Sequence, residues 1–185
     1  MLQANRTRTN LILVVGLVAA FIALVVGLVM FTFDPQPKSA NAEQSRIDAA
    51  TAAARAEINA LFAVDYQHLD AWQAAVTGGA TGDFLSQLQA KLETNKAAVF
   101  QSKITATVNV VDVGINSLKA PNATTPTWTA IVYASADERE TSPTVKGIAA
   151  AGSCPANTIC HQYVLRLAMS LTPSGWKVSN LGVAS

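Results

Sequence analysis

Charge is sparse in this 185-residue chain, and no stretch concentrates one sign: charged side chains make up 14% of it and the formal net charge is +1. Nucleic-acid binding needs a basic stripe that neutralises phosphates, usually with aromatic side chains for bases to stack on. The basic residues here stand singly and the aromatics, 6% of the chain, do not interleave with them, so nucleic acid is excluded as a partner. Histidine occurs only as His68 and His161, cysteine only as Cys154 and Cys160. A structural zinc site needs four such ligands. The two thiols and His161 lie together, but no further ligand is evident, and no metal is expected. No nucleophile elbow and no glycine-rich phosphate loop are present, so neither acyl nor phosphoryl chemistry is indicated and no cofactor is expected.

One long apolar run is present. Leu11 to Phe33 reads LILVVGLVAAFIALVVGLVMFTF, without a charge and with one hydroxyl, Thr32. As a helix it would extend roughly 35 Å at about 1.5 Å per residue, enough to cross a hydrocarbon core of about 30 Å. The rival is a cleaved signal peptide, whose apolar core is shorter, about 7–15 residues; Ser39-Ala40-Asn41-Ala42 would be its cleavage site. Arg6 and Arg8 precede the run with no acid, and Asp34, Lys38 and Glu43 follow it. The positive flank stays cytoplasmic. The expectation is a single-pass plasma-membrane protein: cytoplasmic residues 1–10, membrane helix 11–33, linker 34–42 and an extracytoplasmic domain 43–185. That compartment permits disulfides, and Cys154 and Cys160 are a possible pair clipping one loop.

Pro35 and Pro37 make the linker stiff. Asn41 with Gln44 resembles a capping box, and Ile47, Thr51, Ala54, Ile58, Leu61 and Phe62 recur at helical spacing. Asp70 is placed to cap a short helix through Trp72 and Val76, which Gly78 and Gly79 would break. Thr81 or Asp83 caps a third, with Phe84, Leu85, Leu88 and Leu92 on one face. From Lys103 the period becomes two, with Ile104, Ala106, Val108 and Val110 alternating against polar residues. Val111, Val113 and Ile115 continue on the opposite parity, which predicts a bulge near Val110 and Val111 and a bent sheet. A second strand is expected over 127–136, followed by a polar run from Asp137 to Pro143. His161 to Leu171 alternates cleanly as a third strand, and Trp176 to Val183 makes the last after a Pro173-Ser174-Gly175 turn. Three helices followed by an antiparallel sheet give an α+β domain.

Several segments together resemble a known family: the apolar anchor, the alanine-rich helix, Tyr66-Gln67-His68-Leu69-Asp70, the stretch from Thr77-Gly78 to Gly82-Asp83-Phe84, and the ending Gly175-Trp176-Lys177-Val178-Ser179-Asn180-Leu181. They are similar to Mce-associated membrane proteins, which accompany Mce lipid importers. The resemblance implies a nuclear transport factor 2-like outer domain, three helices packed on a curved antiparallel sheet, also seen in a bitopic component of type IV secretion systems. It implies a non-enzymatic accessory or assembly subunit of a lipid import system, with the bilayer and Mce-type transporter subunits or other envelope proteins as partners. Two other functions stay open: a bitopic scaffold of a conjugation or type IV-like secretion machine, and a membrane-tethered isomerase-like enzyme. For the enzyme, Asp112 beside the bulge is the candidate acid, since apolar surroundings raise a carboxyl pKa. His68 beside Asp65 and Asp70 is a candidate acid-base imidazole. No catalytic residue is assigned. Trp128, Tyr133, Tyr163 and Trp176 are expected in the core, where they could line an apolar pocket.

Overall fold

A computed structural model describes residues 38–184. The expected membrane helix at 11–33, its cytoplasmic flank and residues 34–37 of the linker lie outside the described residues. Among the described residues no helix is long and apolar enough to cross a membrane. The chain divides into two units, 1–43 and 44–185, and the architecture below is that of the second, with α1 beginning in the first.

Three helices precede four strands: α1 (Lys38–Phe62), α2 (Leu69–Gly79), α3 (Gly82–Ser102), then β1 (Thr105–Lys119), β2 (Thr129–Thr141), β3 (Ile159–Thr172) and β4 (Gly175–Val183). The sheet is antiparallel throughout with strand order β1-β2-β3-β4. This is the expected α+β architecture, three helices followed by one antiparallel sheet. Residues 38–42 are helical rather than linker, and Asn41 lies within the helix instead of capping it. Gln44 accordingly turns to Asp48, donating from Nε2 at 2.8 Å. Ser39, Ala40 and Ala42 contain no helix breaker.

Along α1, Ala50, Ala54 and Ile58 are fully buried against Val132, Ala134, Leu165, Leu167, Met169 and Val178 of the sheet. The aromatic rim of that core is partial: Trp176 is buried, Trp128 and Tyr163 pack against it half-buried, and Arg46 stacks over Trp128 with its guanidinium carbon 4.3 Å from the ring centroid. Tyr133 departs from expectation. It lies on the outer sheet face opposite Gly114 and is exposed, because Val132 and Ala134 take the inward positions of β2.

The bulge is where the parity change places it. The β1–β2 register slips between Val110 and Asp112, leaving Val111 unpaired and 57% exposed, after which Val113 and Ile115 return to the core side. A bulge disrupts the ladder, and Arg55 of α1 reaches over to donate from Nη1 to the Val110 carbonyl at 2.7 Å. A second slip follows between Ile115 and Ser117. The polar run from Asp137 is part of the second strand: β2 continues to Thr141, with Asp137 paired to Asn109 on one side and Gln162 on the other. Ladder hydrogen bonds on both edges outweigh the poor strand preference of Asp and Glu.

Candidate functional site

The expected acid-base residues do not converge. Asp65 opens the corner before α2: its Oδ1 accepts the Gln67 amide at 2.9 Å, and its Oδ2 lies 2.8 Å from His68 Nδ1. The Gln67 N–H, and secondarily His68, hold the Asp65 carboxyl below its ordinary value. The pair is open to solvent, with the His68 side chain 71% exposed. Asp70 does not join it. Nor does it cap α2; it sits in the first turn and accepts from Lys96 Nζ at 2.8 Å, an ammonium also shared with Gln73. Lys96 keeps the Asp70 carboxyl ionised to lower pH. His161 sits by the Tyr163 ring, centroids 5.9 Å apart, and is exposed. Asp112 is exposed on the outer sheet face across from Ser135, so the enzyme reading loses its acid. The described residues hold no group of three His, Cys, Asp or Glu that could bind a metal.

The buried acid is one that periodicity did not single out. Glu57 of α1 is 2% exposed and both its carboxyl oxygens lack a hydrogen-bond partner. It fits because α2 ends in glycine: a Cβ on Gly79 would lie 1.5 Å from Glu57 Oε2. Burial pushes the Glu57 pKa from 4.5 up to about 7, opposed by the nearby Lys177 ammonium, which itself donates to the Gly78 carbonyl. A carboxyl poised near neutrality suits proton transfer. It has neither a polar partner nor a place on the wall of any of the four clefts described on this domain.

The larger clefts meet at Tyr66, which lines both. One, of about 460 Å³, runs along Tyr66 to Ala71 with Lys96 and Phe100 of α3, and Phe100 is 63% exposed. The other, of about 550 Å³, lies between the end of α3, the end of β2 and the loop leading to β3. That loop is well tied. Ala151 and Cys154 exchange both backbone hydrogen bonds, Gly147 N–H donates to Asn157 Oδ1 at 2.8 Å, and Cys154 and Cys160 are joined by a disulfide with Cα atoms 5.9 Å apart. Closing so short a loop removes little unfolded-state entropy, at most about 2 kcal/mol. Replacing both cysteines by serine is therefore expected to lower the melting temperature slightly while making the segment between Gly147 and Asn157 readily cut by protease. Equal cleavage rates in the two proteins would show that the disulfide does not hold the loop.

Backbone conformation singles out the same cleft. Two non-glycine residues have positive φ among the described residues, Lys103 at 49° and Asn157 at 58°, and both line it. Lys103 follows α3 as a left-handed cap: its N–H donates to Phe100 O and the Ile104 N–H to Val99 O. Glycine is the usual residue at this position, and a side chain there costs about 1 kcal/mol or more. The sequence carried a signal here that went unread: helix α3 stops at Lys103 with no glycine or proline to stop it.

No protein-family model matches the sequence, and no curated protein sequence matches it. Solved structures do share the fold. A periplasmic fragment of TraM aligns over 75% of this chain and 96% of its own, with TM-score 0.55 and 12% identity. The periplasmic domain of DotI aligns over 75% and 91%, with TM-score 0.54 and 16% identity. CagV, a VirB8 homolog of the type IV secretion system of Helicobacter pylori strain 26695, aligns over 75% and 98%, with TM-score 0.53 and 12% identity. At such identities the likeness is one of fold. It corrects the lipid-import expectation: two of these neighbours are periplasmic pieces of TraM and DotI, the third is a secretion-system protein, and no match links the chain to Mce-associated proteins. Of the residues that suggested that family, Gly175 takes a positive φ of 107° at the β3–β4 turn and Trp176 is buried at the start of β4, so local structure accounts for both.

Proposed function

We propose that this chain is a single-pass scaffold subunit of a conjugation- or type IV secretion-like machine in the cell envelope, its α+β domain held on the extracytoplasmic face by the 11–33 helix. The observation that carries the reading is the completeness of the fold likeness: three quarters of the chain aligns with over nine tenths of a periplasmic fragment of TraM, of the periplasmic domain of DotI and of CagV. A scaffold works through surfaces and needs no reaction centre. The Asp65–His68 pair lies open to solvent, Asp112 is exposed on the outer sheet face and Glu57 reaches none of the described clefts, whereas Tyr66, Phe100 and the disulfide-clipped loop build two adjoining clefts. Tethering to a plane raises the effective concentration of the domain near membrane partners, so modest interfaces suffice.

Deleting the gene in its native host is expected to reduce plasmid transfer or protein secretion by orders of magnitude, with restoration by the full chain. The tagged protein should co-purify with other subunits of that machine from native membranes. Alkaline phosphatase fused after Ser185 should be active, and fused before Leu11 inactive. Undiminished transfer and secretion in the deletion strain would sink the scaffold reading.

A further inference from the structure

The cleft beside the disulfide loop presents two ammonium groups and no acid. Lys103 and Lys146 stand on its walls with Tyr66, Ser142 and the buried Thr158, and no Asp or Glu lines it. Neither lysine forms an ion pair with a described residue, in contrast to Lys96 in the neighbouring cleft, which is held by Asp70. The walls are fixed rather than draped. The loop is closed by Cys154–Cys160 and pinned by the Asn157 side chain on the Gly147 amide, and Lys103 is held by two backbone hydrogen bonds at the end of α3. Both left-handed non-glycine residues sit here. A lysine kept where glycine is the easier residue points to a role for its side chain, since the backbone alone would favour losing it.

We propose that this cleft is a binding site for an acidic segment of a protein partner, whose carboxylates pair with Lys103 and Lys146 while its backbone hydrogen-bonds to the hydroxyls between them. The inference deepens the scaffold reading and rests on it for the identity of the partner. The chemistry of the walls selects the class of ligand. Small-molecule sites are mostly apolar and enclose most of their ligand, but Lys103, Thr141, Pro143, Lys146 and Asn157 are all exposed along an open trough. An extended chain can lie in such a trough, and its carboxylates can reach the two ammoniums in turn.

The test uses the full chain in a mild non-ionic detergent and a fluorescein-labelled Glu-Ser repeat peptide, read by fluorescence anisotropy. Binding is expected to weaken with salt, as screening requires. The K103E/K146E double variant should bind about tenfold more weakly or worse, because attraction at two exposed sites becomes repulsion. Lys119→Glu, at the far end of β1, should bind as the wild type does. Lys103→Gly separates the side chain's role from folding: it should weaken binding while the melting temperature stays equal or rises, since glycine relaxes the left-handed cap.

Equal affinity of the double variant and the wild type would overturn the proposal, as would equal binding of a Lys-Ser repeat. If succinate at the same carboxylate concentration displaces the peptide completely, the site takes a small dicarboxylate, and the peptide assignment is wrong. The two readings fail separately. A silent deletion strain removes the scaffold role whatever the peptide does; a transfer defect with no charge-dependent peptide binding removes only the cleft.

Discussion

Raising the pH from about 5 to about 8 is expected to remove roughly 3 kcal/mol of folding stability through a single side chain, Glu57. In the unfolded chain this carboxyl titrates near its ordinary 4.5; in the folded domain burial moves the midpoint to about 7. Between those values the folded state holds a proton that the unfolded state has released. Stability must then decrease with pH across the window, being complete below 4.5 and lost as pH rises through 7. At about 1.36 kcal/mol per pH unit the interval corresponds to roughly 3 kcal/mol, an upper figure if water reaches the ionised carboxylate. Other carboxyls do not mask it. Asp65 and Asp70 have lowered values, so their contributions are present above the ordinary 3.8 and are lost only as pH falls below it. Tyr163, whose hydroxyl donates to Glu138, is pushed up to about 12, so its contribution fades only in strong alkali.

The measurement is urea unfolding of the wild type and Glu57→Gln across that pH range. The glutamine variant has no proton to release and should show a nearly flat profile, overtaking the wild type above neutrality. Lys177→Met should shift the wild-type decline to higher pH, because Lys177 is the charge that favours ionised Glu57. Parallel wild-type and glutamine profiles would refute the assignment, whatever the total pH dependence.

How far the sequence could lead is plain from individual elements. Binary patterns translate directly into geometry, so the β1 bulge at Val111, the inward row of Leu165, Leu167 and Met169, and the order of helices before sheet were legible. The same logic could have located the slip in β4. Trp176 and Val178 occupy one parity and Leu181 another, and the register breaks between them, with Ser179 Oγ donating to Ala168 O at 3.1 Å. Elements whose stability comes from neighbours were illegible. Asp137 to Thr141 reads as a polar run beyond the strand because nothing local shows that strands flank it on both sides. For the site, Cys154 and Cys160 marked the right loop by spacing, but Glu57 was invisible. A charged residue among alanines on a helix reads as solvent-facing, and only the three-dimensional approach of α2 makes it buried. The clefts meeting at Tyr66 depend on residues from four separate segments, a coincidence no one-dimensional pattern encodes.

Gly79 tests that approach directly. Read as a helix breaker, it would be replaceable; α2 runs through it to its last residue, with no positive φ demanded of it. Its role is space. Adding a methyl should force the Glu57 carboxyl out of its niche, at a cost of about 2–3 kcal/mol, within the range for overpacking a filled interior. Against this, alanine is preferred to glycine in a helix by up to about 1 kcal/mol, less at a terminal position. The clash is larger, so Gly79→Ala should destabilise the wild type at neutral pH. In a Glu57→Ala background the obstructing oxygen is gone and only the helical preference remains, so the same substitution should become neutral or mildly stabilising. That reversal of sign amounts to a coupling energy of about 2 kcal/mol, large for any pair and expected only of residues in direct contact. Calorimetry on the four proteins of the cycle would measure it. If Gly79→Ala costs the same with and without the Glu57 side chain, the glycine is required by something other than the carboxyl it faces, and Glu57 must owe its burial to a different wall.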